Sequence, residues 1–139
     1  MKLVVDANIL FAALIKEGST AELLISDKLQ LFAPEFLFEE FSKYKDLILK
    51  KTHRSNEEFN QFLDLLKEQI TIIPKKEITP LIEKAEKISP DPKDSIYLAL
   101  ALALNSNVWS NDKKLKEGQK KITILSTEEL IKKTNLLKK

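Results

Sequence analysis

The chain has 139 residues, 43% hydrophobic and 32% charged, with a net charge of +2 at pH 7. That length favours a single domain over 1–139 with a sizeable core, and two Gly and five Pro leave little room for flexible linkers. The absence of Cys excludes disulfides and thiolate metal sites and suits a reducing cytoplasm, the single His53 excludes a His-based metal site, and so small a net charge does not by itself indicate a nucleic-acid partner.

The chain opens with Lys2-Leu3-Val4-Val5, a short Val-rich run that reads as a buried strand and stops at Asp6. Asp6 and Asn8 interrupt the apolar start and no small-residue cleavage site follows, so a signal peptide is not expected. Residues 7–16 are helix formers closed by Gly18, and Ser19 with Glu22 makes a capping-box pattern for a second helix to about Lys28. A strand is expected over 29–33, then a helix from Pro34 to about Lys51 and a turn at His53-Arg54. Ser55 and Glu58 form another capping box before a helix with Phe59, Phe62, Leu63 and Leu66 on one face. Residues 70–73 read as a third strand and Thr79-Pro80 as the start of a helix through Ile88. Pro92 opens a helix to about Leu104, whose 97–104 stretch is apolar all round and too short for the ~20 residues of a membrane span. Residues 107–110 form a fourth strand and 111–118 a loop. Residues 122–125 form a fifth strand, and Ser126 and Glu129 cap the last helix.

Strands alternating with helices, singly or in pairs, indicate a three-layer α/β/α domain with a parallel sheet of about five strands and right-handed crossovers. In such a sheet the strand carboxyl ends and the following helix amino ends share one edge. Ligands bind at that edge. Asp6 follows the first strand directly and Asp112 follows the fourth. Asp91 and Asp94 lie in the first turn of the helix that feeds the fourth strand. Glu40 joins them by a separate route. On a helical wheel it falls inside the stripe of Phe36, Leu37, Phe41, Tyr44, Leu47 and Ile48, whereas Glu39 points nearly opposite. An acid inside an apolar stripe is costly unless something compensates it.

Carboxylates without His or Cys are hard oxygen ligands that suit Mg²⁺ or Mn²⁺, and acid clusters of this kind position metal for phosphodiester hydrolysis. There is no P-loop, no Gly-rich dinucleotide turn and no Ser-His pair. Each acid also has a plain structural reading: Asp6 as an N-cap, Asp91 and Asp94 as first-turn acids that complement a helix dipole, Asp112 as a turn residue. Trp109 reads as strand packing. Lys113, Lys114, Lys116, Lys120 and Lys121 read as a solvated face, with steering of a phosphate backbone as the alternative.

Four segments together resemble the PIN-domain family of metal-dependent, VapC-like ribonucleases. They are Val4-Val5-Asp6-Ala7-Asn8-Ile9-Leu10, Ala33-Pro34 through Glu40-Phe41, Asp91-Pro92-Lys93-Asp94 with the apolar run after it, and Val108-Trp109-Ser110-Asn111-Asp112-Lys113-Lys114-Leu115. The resemblance implies a PIN-like sheet, a Mg²⁺ or Mn²⁺ cofactor and hydrolysis of RNA. It implies metal-ligand and catalytic roles for Asp6, Glu40, Asp94 and Asp112, an accessory acid at Asp91, and supporting hydrogen bonds from Asn8 and Ser110. Ser110 stands where the family more often has Thr, which keeps the hydroxyl. Many small members are toxins inhibited by an antitoxin protein, and many dimerise. The rival readings are a non-catalytic PIN-like module that binds RNA or protein, and an aspartate-based phosphatase, which usually needs an acid where Asn8 stands.

Overall fold

The computed structural model describes residues 1–15 and 18–134. Five parallel strands form one sheet: β1 Lys2–Val5, β2 Gln30–Pro34, β3 Ile70–Ile73, β4 Asn107–Trp109 and β5 Ile124–Leu125. Their spatial order is β3-β2-β1-β4-β5. Starting at β1, the chain first builds outward to β2 and β3. It then crosses back and builds outward to β4 and β5. Right-handed crossovers therefore place the helices before β3 on one face and the later ones on the other, with the switch in direction between β1 and β4. Leu3, Val4 and Val5 are fully buried, as a strand covered on both faces requires.

The first face carries α1 Ala7–Ile15, α2 Ser19–Leu24, α3 Phe36–Lys43, α4 Lys45–Thr52 and α5 Asn56–Gln69. The expected end of the first helix at Lys16 lies outside the described residues. Gly18 begins α2 with φ of 150°, a conformation that side chains disfavour, so Ser19 falls inside the helix and its expected capping box does not form. This helix stops at Leu24, short of the expected Lys28. The box at Ser55 and Glu58 forms in full. Pro34 ends β2, in register with Ile73, instead of opening the next helix. That helix, expected unbroken over 34–51, is two: the backbone turns at Tyr44, with φ −97° and ψ 15°. His53 closes α4 in the left-handed conformation, which explains the turn expected there.

The second face carries α6 Lys75–Ile78, α7 Ile82–Ile88, α8 Ser95–Leu104 and α9 Lys113–Gly118, and α10 Thr127–Thr134 follows β5. Thr79 opens a 3-10 turn, Thr79–Leu81, with Pro80 in its first turn, that runs into α7 and ends at the expected Ile88; the Thr79 side chain is no cap, because its hydroxyl bonds back to the Lys75 carbonyl of α6. Helix α8 packs against β1, β2 and β4 and is buried from Tyr97 to Ala101. Residues 113–118, expected as loop, are helical. Among the described residues no helix is long and apolar enough to cross a membrane.

Candidate active site

Three of the five candidate acids are held by backbone amides. Asp6 leaves β1, its own N–H bonded to the Trp109 carbonyl at 3.1 Å, and its carbonyl accepts the Ile9 amide of α1 at 3.0 Å. Its Oδ1 takes a long bond from the Asn8 amide, 3.5 Å, and its Oδ2 takes the Ser110 hydroxyl at 2.7 Å. Asp112 caps α9: its Oδ1 accepts from the amides of Lys114 at 2.9 Å and Leu115 at 3.3 Å. Ser110 ties these two acids together, because its oxygen also accepts the Asp112 amide at 3.1 Å. Asp91 caps the 3-10 turn Pro92–Asp94 that leads into α8, accepting from the Lys93 amide at 3.0 Å. Capping thus holds for Asp6, Asp91 and Asp112, and it does not compete with a place in the cleft: the caps aim these carboxylates at the shared edge.

The side chains of Asp94 and Glu40 carry no such bonds among the described residues. Both are partly buried. They line one cleft of about 500 Å³ together with Asp6, Asn8, Asp91 and Asp112. Helix wheel and structure agree on Glu40, while Glu39 is exposed. The stripe around Glu40 is split, however. Leu37, Phe41 and Ile48 enter the core, whereas Phe36, Tyr44 and Leu47 remain substantially exposed.

The electrostatics follow from the crowding. Burial, together with the charges of Asp6, Asp112 and Asp91, pushes the Asp94 carboxyl up to about 6. Burial raises Asp6 as well, against the lowering effect of its bonds from Ser110 and Asn8. Burial, then the charges of Asp6 and Glu40, keep the Tyr97 hydroxyl protonated far above its ordinary range.

Among the described residues no group of three or more His, Cys, Asp or Glu side chains is drawn together tightly enough to form a ready-made coordination sphere. The cleft is an open cluster of hard oxygen donors. A divalent cation such as Mg²⁺ or Mn²⁺ fits that chemistry, because it offsets the burial and the repulsion that raise Asp94.

The cations and rings around the acids are beyond the sequence reading. Lys43, Lys93, Phe11, Phe36, Tyr44 and Tyr97 share the cleft. Only Lys93 has a sequence signal, as the neighbour of Asp94. Tyr44 closes α3 as its C-cap residue, and its ring lies on the cleft wall. Asn8 contributes through its backbone amide, with its exposed side chain also on that wall. Trp109 is fully buried, its Nε1 donating to the Thr127 hydroxyl at 3.0 Å, so it is strand packing. Lys113 and Lys116 stand in a neighbouring groove with Glu117 and Glu128, and Lys116 pairs with Glu129.

One further contact joins the acid-bearing segments. A Cβ placed on Gly118, the last residue of α9, would lie 2.6 Å from Cβ and 2.8 Å from Cγ of Pro90. The missing side chain lets the end of the Asp112 helix close on the loop that carries Asp91.

The sequence matches the family profile of the PIN domain over residues 4–134. No curated protein matches it at a significant level. Among solved structures it is similar to VapBC2 from Rickettsia felis bound to a DNA fragment from its promoter, with TM-score 0.69 and 16% identity over 91% of this chain and 98% of that one. It is also similar to a toxin-antitoxin complex from Klebsiella pneumoniae, with TM-score 0.64 and 15% identity over 90% of this chain and 97% of that one. At these identities the likeness is one of fold.

Proposed function

The chain belongs to the PIN-domain family, and from that premise we propose that it is a Mg²⁺- or Mn²⁺-dependent endoribonuclease and the toxin of a toxin–antitoxin pair. The observation that carries this reading is the convergence of Asp6, Glu40, Asp91, Asp94 and Asp112 on one cleft at the carboxyl edge of the sheet, at its switch point. Asp6, Glu40, Asp94 and Asp112 would hold the ion, with Asp91 accessory at the exposed rim.

A bound divalent cation would supply the charge that activates an attacking water and stabilises the leaving oxygen of a phosphodiester. The protein's own groups do the rest. Asp6 and Asp112 are fixed by the bonds that also build the helix starts, so their carboxylates need no reordering when substrate arrives. Ser110 keeps the two in register from behind. Glu40 and Asp94, without competing side-chain bonds among the described residues, keep their oxygens for the ion or for the proton of the attacking water. Lys43 and Lys93 set point charges beside the acids, where non-bridging phosphate oxygens need them.

The toxin part of the reading rests on the two solved neighbours, both from toxin–antitoxin systems. It is supported by an apolar groove lined by Phe11, Ile15, Tyr44, Leu47, Ile48 and Lys51, which meets the acidic cleft at Phe11 and Tyr44. An antitoxin segment lying there would reach the acids. A cytoplasmic place of action belongs to the same reading.

The direct test is cleavage of RNA in Mn²⁺ by the wild type and by the Asp6→Asn/Asp94→Asn double variant. Loss of turnover in the double variant is expected. Equal rates would remove these acids from the reaction, and no turnover in the wild type would favour a binding module.

A further inference from the structure

We infer that Phe36 and Tyr44 are stacking platforms for two nucleobases of an unpaired RNA strand, one on either side of the bond placed at Glu40. The inference rests on the ribonuclease reading above and names the form of RNA that the cleft accepts.

Three observations carry it. Phe36, Glu40 and Tyr44 are spaced four apart, on one side of α3 and its last turn, and all three line the acidic cleft. The two rings are 38% and 41% exposed, although the core lies against the same helix and takes Leu37 and Phe41 completely. Single exposed rings are ordinary. Two of them bracketing Glu40, over a cleft of acids, are a pattern with a use.

The second observation is support. Tyr44 meets Phe11 edge-on, with ring centres 6.4 Å apart and planes at 76°. Phe11 in turn stacks on Phe41, and Phe41 on Phe59, at 5.4 and 5.2 Å. Tyr44 is thus the outer end of an aromatic ladder that runs through the partly buried Phe11 to the buried Phe41 and Phe59, and this ladder supports its ring. A rigid ring loses little entropy on stacking.

The third is charge and spacing. Lys43 places its amino group 5.8 Å from the centre of the Tyr44 ring, close to where the phosphate of a stacked nucleotide must run. Phe36 and Tyr44 stand eight positions apart along α3 and its C-cap, a backbone rise of about 12 Å. Successive bases stacked in a helix are only about 3.4 Å apart. Adjacent bases of a duplex cannot reach both rings. A strand with its bases splayed apart can, and its backbone then passes between the rings, over Glu40. Every base has a π-face, so such platforms select for unpaired strand and only weakly for sequence.

The test uses the full chain. Phe36→Leu and Tyr44→Leu are each expected to raise KM for a single-stranded oligoribonucleotide about tenfold, with kcat within about twofold. Mn²⁺ binding by calorimetry should not change in either, and Tyr44→Trp should restore the wild-type KM. When Tyr44→Trp is placed in the Asp6→Asn/Asp94→Asn background, where RNA stays intact, the emission of the introduced indole should be quenched by that oligonucleotide and not by its duplex. The Asp6→Asn/Asp94→Asn protein without it supplies the background emission of the buried Trp109. Wild-type cleavage with unchanged KM in both leucine variants would overturn the inference while leaving the nuclease reading intact, and would assign the rings to a protein partner. Equal cleavage of the strand and its duplex would overturn it as well. Absence of cleavage by the wild type defeats the underlying reading instead, and is told apart by that control.

Discussion

The carboxylates of the cleft fall into two sets. Asp6 and Asp112 sit at strand ends, accept backbone amides and share the Ser110 hydroxyl. Glu40 and Asp94 sit on helical turns, partly buried, with no side-chain hydrogen bond among the described residues. The first set supports the fold whether or not anything binds. Burial raises Asp6 in the first set too, but there the bonds from Ser110 and Asn8 oppose the rise; Asp94, without such bonds, is pushed up to about 6, and its ionised form costs stability in the metal-free protein. A cap residue is therefore weak evidence of function, and a half-buried, unbonded acid is strong evidence.

The contrast is broken most severely at Asp94. Asp94→Asn should reduce Mn²⁺-dependent RNA cleavage by more than the ~10–100-fold typical of a residue that merely supports a ligand. The same change should stabilise the metal-free protein at pH 7 by about 1 kcal/mol, a figure discounted for the group's partial exposure. The pH dependence carries the sign. The folded-state value lies above the ordinary 3.8, so the folded form holds the proton more tightly between 3.8 and about 6. The stability linked to Asp94 is full below that window, falls as pH rises through it and is flat above. Thermal melts of wild type and Asp94→Asn from about pH 3 to 8 would show the two curves diverging across that window.

Asp112 sharpens the comparison from the other side. Asn caps a helix as well as Asp does, so Asp112→Asn should lose cleavage and keep its melting temperature. Asp112→Ala should lose both, with about 1 kcal/mol of stability gone with the cap. If the two variants melt alike, the cap contributes nothing and the division into two sets fails at this residue.

Gly118 gives the smallest expected effect on the site itself. Gly118→Ala forces its Cβ into the Pro90 ring, a rigid neighbour, at a cost of about 1–2 kcal/mol. A modest loss of Mn²⁺ affinity should accompany it, because the displaced loop carries Asp91. Pro90→Gly in the same chain removes both clashing atoms and should restore the Mn²⁺ affinity, and calorimetry reads the pair.

Much of this geometry is legible without coordinates. Strand and helix polarity alone put Asp6, Asp91, Asp94 and Asp112 on one edge, because parallel topology leaves no other place for them. The wheel separates Glu40 from Glu39. Strand order is not legible, since no residue pattern tells which neighbours pair. The break at Tyr44 is hidden because neither Gly nor Pro marks it. Helix α9 escapes the sequence reading although its signals are present: Asn111-Asp112 reads as a turn when Asp112 is an N-cap, with helix formers behind it and Gly118 at the end. Lys93 is signalled only as the neighbour of Asp94, and Lys43 gives no signal at all, since only the fold brings it to the acids.

The most direct measurement is a calorimetric titration of Mn²⁺ into the wild type and into the Asp6→Asn/Asp94→Asn variant at neutral pH. Saturable binding in the wild type and none in the variant is the expected result. No heat from the wild type at millimolar Mn²⁺, or the same heat from both proteins, would contradict a metal site built on these acids.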